Sequence, residues 1–310
     1  MRCVLLSEIL DLRDYLSGVI DQLGDITFVD HHEGRTANDV QLAVAWHPPG
    51  DAFDNYPNLK AACSIGAGAD SLLACPSLRD DIDVVRVVDP AQAQMMSGFV
   101  LWNVIWHQRR FGTYLAQQRD RIWLRPSQRD AKDVPVGILG YGEIGRRVAD
   151  DLRMLGFPVS VWSRSEKSAR QGISGFHGPV GLAAMLPETE VLVNLLPLTQ
   201  ETLGILNSSL FEKMRRGGYL IHVGRGEHMV EKDVLLALDN GQLSGASLDV
   251  FPSEPLNPEH PFWSHPGIIV TPHDACDVSM DAIKATIDAT ADAVRNGRRP
   301  SQTVDRARGY

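Results

Sequence analysis

One stretch, Val136 to Ser165, constrains the fold of this chain more than any other. Val136-Gly-Ile-Leu139 is a short apolar run of strand length, and Gly140-Tyr-Gly-Glu-Ile-Gly145 follows it with GxGxxG spacing. Ile144, Val148, Leu152 and Leu155 then recur at helical intervals, and Val159 to Trp162 is a second apolar run. Strand, tight turn, helix and strand is the unit that holds the pyrophosphate of a dinucleotide. In such a unit Gly140 permits the turn, Gly142 lets the backbone approach the anion, and Gly145 lets the helix lie against the sheet. Glycines alone would be weak evidence; glycines between a strand and a helix are strong evidence.

The end of the second strand selects the cofactor. A site for NAD usually carries an acid there to hold the ribose hydroxyls. This chain has Ser163, Arg164 and Ser165, with Lys167 just beyond. Hydroxyl and guanidinium groups suit a 2′-phosphate, and no carboxylate repels it, so NADPH is expected in preference to NADH, with NADH still possible.

With 310 residues the chain is long enough for two domains. A net charge of −9 argues against nucleic acid as a partner, since that binding depends on neutralising phosphates. Cys3, Cys63, Cys75 and Cys276 have neither CxxC nor metal-ligand spacing, so reduced thiols in a cytoplasmic protein are expected and no metal is. The N-terminal apolar run is too short for a signal or membrane segment, so no membrane partner is expected.

Strand-like and helical runs alternate over the first hundred residues: Cys3 to Leu6, the amphipathic Ile9 to Leu23, Ile26 to Val29, Leu42 to Trp46, Ala61 to Ser64 and Val84 to Val88. This pattern predicts an α/β domain with a parallel sheet. Two of its turns stand out. Ala45-Trp-His-Pro-Pro-Gly50 carries Trp46 on a proline turn, and Ser64-Ile-Gly-Ala-Gly-Ala-Asp70 leaves the amides near Ala67 open to an anion such as a carboxylate. From Ala91 to about Trp123 the spacing predicts a long helix, with the crossing into the second domain near Gly98. Phe111, Tyr114, Ile122, Trp123 and Leu124 lie among Arg109, Arg110, Arg119 and Arg121, a mixture that fits a homodimer surface or core packing.

Beyond the glycine motif, strands are predicted at Val191 to Leu196, Tyr219 to Val223, Ala246 to Val250 and Ile268 to Val270, and a helix at Val278 to Asn296 returns to the first domain. Ligands of doubly wound sheets sit beyond the carboxyl ends of strands. Arg225, Glu254 and His273 each follow such an end. Any one of them alone would read as a solvated or structural residue; three on successive strand ends read as a site. Of the other histidines, His31 and His32 lie in a polar loop, and His222, His228, His260 and His265 lack metal-ligand spacing.

These segments resemble the D-isomer-specific 2-hydroxyacid dehydrogenases over nearly the whole chain, and within them the glyoxylate/hydroxypyruvate reductase A branch. The resemblance is carried by Ala-Trp-His-Pro-Pro at 45–49, the loop at 64–70, the glycine motif, Trp-Ser-Arg-Ser at 162–165, Leu-Pro-Leu-Thr at 196–199, Gly-Arg-Gly at 224–226, Asp-Val-Phe-Pro-Ser-Glu-Pro-Leu at 249–256, Thr-Pro-His at 271–273, and the tail from Val304 to Tyr310. It implies two doubly wound domains, a Rossmann domain at 99–274 inserted into a flavodoxin-like substrate domain at 1–98 and 275–310. It implies Arg225, Glu254 and His273 as catalytic residues, with Trp46, Ala67 and Gly68 joining Arg225 and His273 around the substrate. Cofactor contacts are implied for Gly140, Tyr141, Gly142, Glu143, Ile144, Ser163, Arg164, Ser165, Lys167, Leu196, Pro197, Thr199, Val223, Gly224, Arg225, Asp249 and His273.

The expected reaction is NADPH-dependent reduction of a small 2-keto acid, glyoxylate or hydroxypyruvate, to the D-2-hydroxy acid. Two other readings compete: a non-enzymatic dinucleotide sensor on the same scaffold, and a dehydrogenase for a bulkier D-2-hydroxy acid. Departures from the family pattern fall at Met96-Ser97-Gly98, at His222 where Asn is common, and at Asp274-Ala-Cys276.

Overall fold

The computed structural model describes residues 1–31 and 37–306. His32 and the last four residues of the tail lie outside them. Two compact units form, one from Met1–Ala91 with Asp277–Tyr310 and the other from Gln92–Cys276.

The first unit begins with β1 (Arg2–Leu6), two short helices α1 (Leu12–Tyr15) and α2 (Ser17–Ile20), β2 (Thr27–Asp30), β3 (Val40–Ala45), β4 (Ala61–Ser64), α3 (Asp70–Leu73) and β5 (Asp83–Val85). All pairings are parallel, in the order β2-β1-β3-β4-β5. The single amphipathic helix expected over 9–23 is instead two one-turn pieces. Asp11 starts the first by accepting from the Arg13 and Asp14 amides at 3.0 and 3.1 Å, and Gly18 lowers helix propensity in the second. Its spacing still reported burial, because Leu12, Leu16, Val19 and Leu23 all enter one core cluster.

The second unit opens with α4 (Pro90–Arg109) and α5 (Phe111–Asp120). The long helix expected from 91 to 123 is broken at Arg110, whose φ of 58° is left-handed and interrupts the hydrogen-bond ladder. The first crossing between units falls after Ala91 rather than near Gly98, because Met96, Val100 and Val104 already pack into the second unit's core with Val136 and Ile138. The return falls after Cys276 for the same reason, with Ala275 inside that cluster.

There follow β6 (Val136–Leu139), α6 (Glu143–Met154), β7 (Val159–Ser163), β8 (Ile173–His177), α7 (Gly178–Met185), β9 (Val191–Asn194), α8 (Ser208–Phe211), β10 (Gly218–His222), α9 (Glu231–Asp239), β11 (Leu243–Leu248) and β12 (Ile268–Val270). The sheet order is β12-β11-β10-β9-β6-β7-β8, parallel throughout. The order reverses between β6 and β9, and it is outside the carboxyl ends of strands at such a switch point that doubly wound sheets bind their ligands. The chain then returns to the first unit through α10 (Met280–Arg295), whose Ile283, Ile287 and Ala291 are buried against the first sheet's cluster. Among the described residues no helix is long and apolar enough to cross a membrane.

Candidate active site

Three neighbouring strands carry the three candidate catalytic residues. In register, His222 of β10 pairs with Leu248 of β11, and Leu248 pairs with Val270 of β12, so the strands end level. Arg225, Glu254 and His273 follow these ends, on one edge of one parallel sheet.

The Gly224-Arg225-Gly226 turn is wedged on both sides. A Cβ on Gly224 would come 2.8 Å from Asn194 Nδ2 and 2.9 Å from His228 Nδ1, and one on Gly226 would lie 1.9 Å from the backbone carbon of Phe251. Only glycine fits either position. The segment that bears Arg225 is therefore pressed against the segment that leads to Glu254.

Asp249 organises the β12 end. Its carboxylate is 1 % exposed and accepts from Thr271 Oγ1 at 2.6 Å and from the Asp274 and Ala275 amides at 2.9 and 3.1 Å. The His273 amide donates to the Asp249 carbonyl at 2.8 Å. These bonds hold His273 at a φ of 56°, a left-handed conformation that costs a non-glycine residue about 1–3 kcal/mol. Strain of this kind persists only where the surroundings over-determine it.

His273 Nδ1 meets Glu254 Oε2 at 2.9 Å, while the Phe251 amide donates to the other carboxylate oxygen, also at 2.9 Å. The hydrogen bond to Glu254 raises the imidazole above its ordinary value; partial burial and the Arg225 charge oppose this without cancelling it. Burial pushes the Glu254 carboxyl up, but His273, the Phe251 amide and Arg225 together bring it below the usual carboxylate range. Both shifts favour the charged forms, an imidazolium against a carboxylate, and the contact at Nδ1 leaves Nε2 as the other ring nitrogen. The Arg225 guanidinium donates to the Gly224 carbonyl at 2.8 Å.

The glycine motif forms a cradle that fits a dinucleotide. Gly140 has a φ of 105°, nothing lies within 4 Å of where a Gly142 Cβ would stand, and a Gly145 Cβ would sit 2.1 Å from the Gly140 carbonyl oxygen. No side chain caps α6 at Gly142, so its first-turn amides, from Glu143 and Ile144 onward, face outward for an anion. Ser163 ends β7 and donates to the Ser165 carbonyl at 2.9 Å; Arg164 meets Glu201 at 3.1 Å; Lys167 donates to the Tyr141 carbonyl at 3.1 Å. Burial, then the charge of Arg146, lowers the Lys167 ammonium. Arg146, which lies 5.6 Å from the Tyr141 ring centre, joins Arg164 and Lys167 as a cation at this end of the motif. It lies one residue past Gly145, on the first turns of α6, and motif spacing alone does not single it out.

Leu196, Pro197 and Thr199 follow β9, where the Pro197 carbonyl accepts from Thr202 Oγ1 at 2.8 Å and the Thr199 amide donates to the same hydroxyl at 2.8 Å. Val223 and Gly224 follow β10. In the first unit, Trp46 stands against the glycine loop, its ring 3.0 Å from where a Gly66 Cβ would be. Ser64 Oγ braces that loop by accepting from the Gly66 amide and donating to the Gly68 carbonyl. Among the described residues no group of three or more His, Cys, Asp or Glu side chains could hold a metal ion.

The model of the D-isomer specific 2-hydroxyacid dehydrogenase NAD-binding domain matches residues 101–275, and the chain belongs to that family. It is 36% identical over 321 residues to glyoxylate/hydroxypyruvate reductase A of Yersinia enterocolitica, covering the full length of both chains. Among solved structures it is similar to the NADPH-dependent glyoxylate/hydroxypyruvate reductase of Sinorhizobium meliloti in complex with NADP and sulfate. That match has a TM-score of 0.92 at 35% identity and covers 100% of this chain and 99% of the other. A D-isomer specific 2-hydroxyacid dehydrogenase of Xanthobacter autotrophicus, in complex with NADPH and MES, matches with a TM-score of 0.92 at 34% identity, covering 100% and 99%.

Proposed function

We propose that this chain reduces a small 2-keto acid, glyoxylate or hydroxypyruvate, to the D-2-hydroxy acid with NADPH. One observation carries the reading: His273 and Glu254 pair at 2.9 Å within reach of the Arg225 charge, each following one of three adjacent strand ends of the second unit's sheet. The full-length similarity to glyoxylate/hydroxypyruvate reductases supports it.

NADPH, when bound on the Gly140–Gly145 cradle, supplies a hydride to the substrate carbonyl carbon. The chain's own residues do the rest. His273 donates the Nε2 proton to the carbonyl oxygen as negative charge develops there, and Glu254 keeps that proton in place beforehand by holding Nδ1. The Arg225 fork binds carboxylate and carbonyl oxygens, polarising the bond and fixing its face. Asp249 holds the left-handed turn that aims His273. The loop amides of Ala67 and Gly68, with Trp46 beside them, are the proposed recognition elements for the substrate carboxylate. Ser163, Arg164 and Lys167 favour the 2′-phosphate. NADH remains a slower alternative. The test is a panel of keto acids assayed with NADPH and NADH by loss of nicotinamide absorbance. Binding of NADPH without turnover of any keto acid would replace this reading with the sensor alternative.

We also propose a homodimer built on α4 and α5. None of the α5 residues is buried, and a ten-residue helix with no packed face is marginal in water. The rings of Trp102, Trp106, Phe111 and Tyr114 follow one another at centroid separations of 5.0, 5.7 and 6.2 Å, and Trp123 beyond them is 96% exposed. A contiguous aromatic surface of this kind, interspersed with arginines, matches the core of a protein interface, and a second copy is the occupant we assign. Cys3, Cys63 and Cys75 are buried thiols, which supports a cytoplasmic setting.

A further inference from the structure

We infer that His228 is a positioning residue for Arg225, its unprotonated Nδ1 accepting the Arg225 backbone N–H; the inference rests on the catalytic role proposed for Arg225. A backbone amide can only donate, and that of Arg225 lies 3.1 Å from His228 Nδ1, so Nδ1 carries a lone pair. Nε2 lies 3.2 Å from the Pro197 carbonyl, which can only accept, so the ring proton sits there. Each contact requires the tautomer the other requires. The Asn194 amide nitrogen approaches the same Nδ1 at 3.0 Å and His222 Nδ1 at 3.2 Å, while its oxygen accepts from the Leu196 amide at 3.4 Å.

The arrangement clamps Arg225 at both backbone groups. Besides Nδ1 taking its N–H, the His228 amide donates to the Arg225 carbonyl at 3.0 Å, and the His228 carbonyl accepts from Leu206 at 2.8 Å. His228 is fully buried. Its ring fills the space a Gly224 side chain would need, and it ties the turn after β10 to the segment after β9. His222, pushed down to about 3 chiefly by burial, stays neutral, and its Nδ1 takes the second hydrogen of Asn194. A guanidinium is only as well placed as the backbone that carries it, and a shift of about 1 Å in such a group costs about a hundredfold in rate.

Two measurements on the full-length protein test this. In histidine nitrogen NMR at neutral pH, the resonance missing from His228→Asn identifies His228; Nδ1 should fall in the unprotonated range and Nε2 in the protonated range. The opposite tautomer, or a doubly protonated ring, overturns the inference. In kinetics, His228→Phe keeps ring volume without an acceptor, whereas the Asn carboxamide oxygen of His228→Asn can take the Arg225 N–H.

The Phe variant should lose about tenfold to a hundredfold in kcat/KM for the keto acid, with raised KM and NADPH affinity within about twofold. The Asn variant should recover most of that loss. A Phe variant with wild-type kcat/KM, or an Asn variant no better than Phe, overturns it. Should the Phe variant not fold, the Asn variant and the wild-type spectrum decide, since Asn must then retain keto-acid KM near wild type. Failure of the activity reading would show separately, as wild-type protein inactive across the keto-acid panel with the His228 tautomer intact.

Discussion

Nδ1 of His273 lies 2.9 Å from Oε2 of Glu254, and in the proposed mechanism this contact sets the pH range over which His273 donates its proton. Because it raises the imidazole above its ordinary value, the acid form persists to higher pH than an isolated histidine would allow. For keto-acid reduction, kcat/KM should be level at lower pH and fall as pH rises through the His273 value. Oxidation of the hydroxy acid needs the neutral ring and should rise through that same value. In Glu254→Gln both limbs should move to lower pH, because the stabilising charge is gone. A pH–rate profile in each direction checks this, and an unmoved limb would show that Glu254 does not govern the proton. His273→Ala should lower turnover by about two to four orders of magnitude.

Arg164 sits at the end of β7 with its guanidinium 44% exposed and paired to Glu201 across 3.1 Å, so it can exchange that partner for a 2′-phosphate. Arg164→Ala should raise KM for NADPH about tenfold, the scale of one charge-assisted hydrogen bond, and leave KM for NADH unchanged. Equal effects on both cofactors would remove Arg164 from the choice between them.

The aromatic face of α4 and α5 predicts the mass in solution. Wild-type protein at micromolar concentration should sediment as two copies, and Leu115→Asp combined with Trp123→Asp as one. Persistence of the two-copy species in the double variant would place the interface elsewhere.

Glu190, just before β9, accepts from His107 Nε2 at 2.7 Å and from both Arg129 nitrogens at 2.5 and 2.7 Å. Burial alone would raise this carboxyl; the hydrogen bonds and charges of Arg129 and His107 overcome it and bring it to about 2. A depressed carboxylate stabilises the fold above its unfolded value of about 4.3, and that contribution fades as pH falls toward 2. Glu190→Gln should therefore cost about 2 kcal/mol at pH 7, discounted for solvent screening, and less below pH 4. Denaturant melts at the two pH values measure the difference, and an equal loss at both would contradict it.

Much of this protein is written locally in its chain. Val136 to Ser165 declares the dinucleotide unit because apolar periodicity and glycine placement are properties of neighbours in sequence, and the strand ends before Arg225, Glu254 and His273 are marked in the same way. Other features were decided only by tertiary structure. The break at Arg110 and the splitting of the 9–23 segment depend on backbone geometry that periodicity does not report, since a buried face has the same spacing in one long helix or two short ones. The crossing after Ala91 depends on which core receives Met96 and Val100. The spacing of His228 excludes a metal-ligand role and says nothing of Arg225, three residues before it. Its role emerges from Asn194 and Pro197, more than thirty residues away in sequence, because the direction of a hydrogen bond is settled by whatever folding brings to each ring nitrogen.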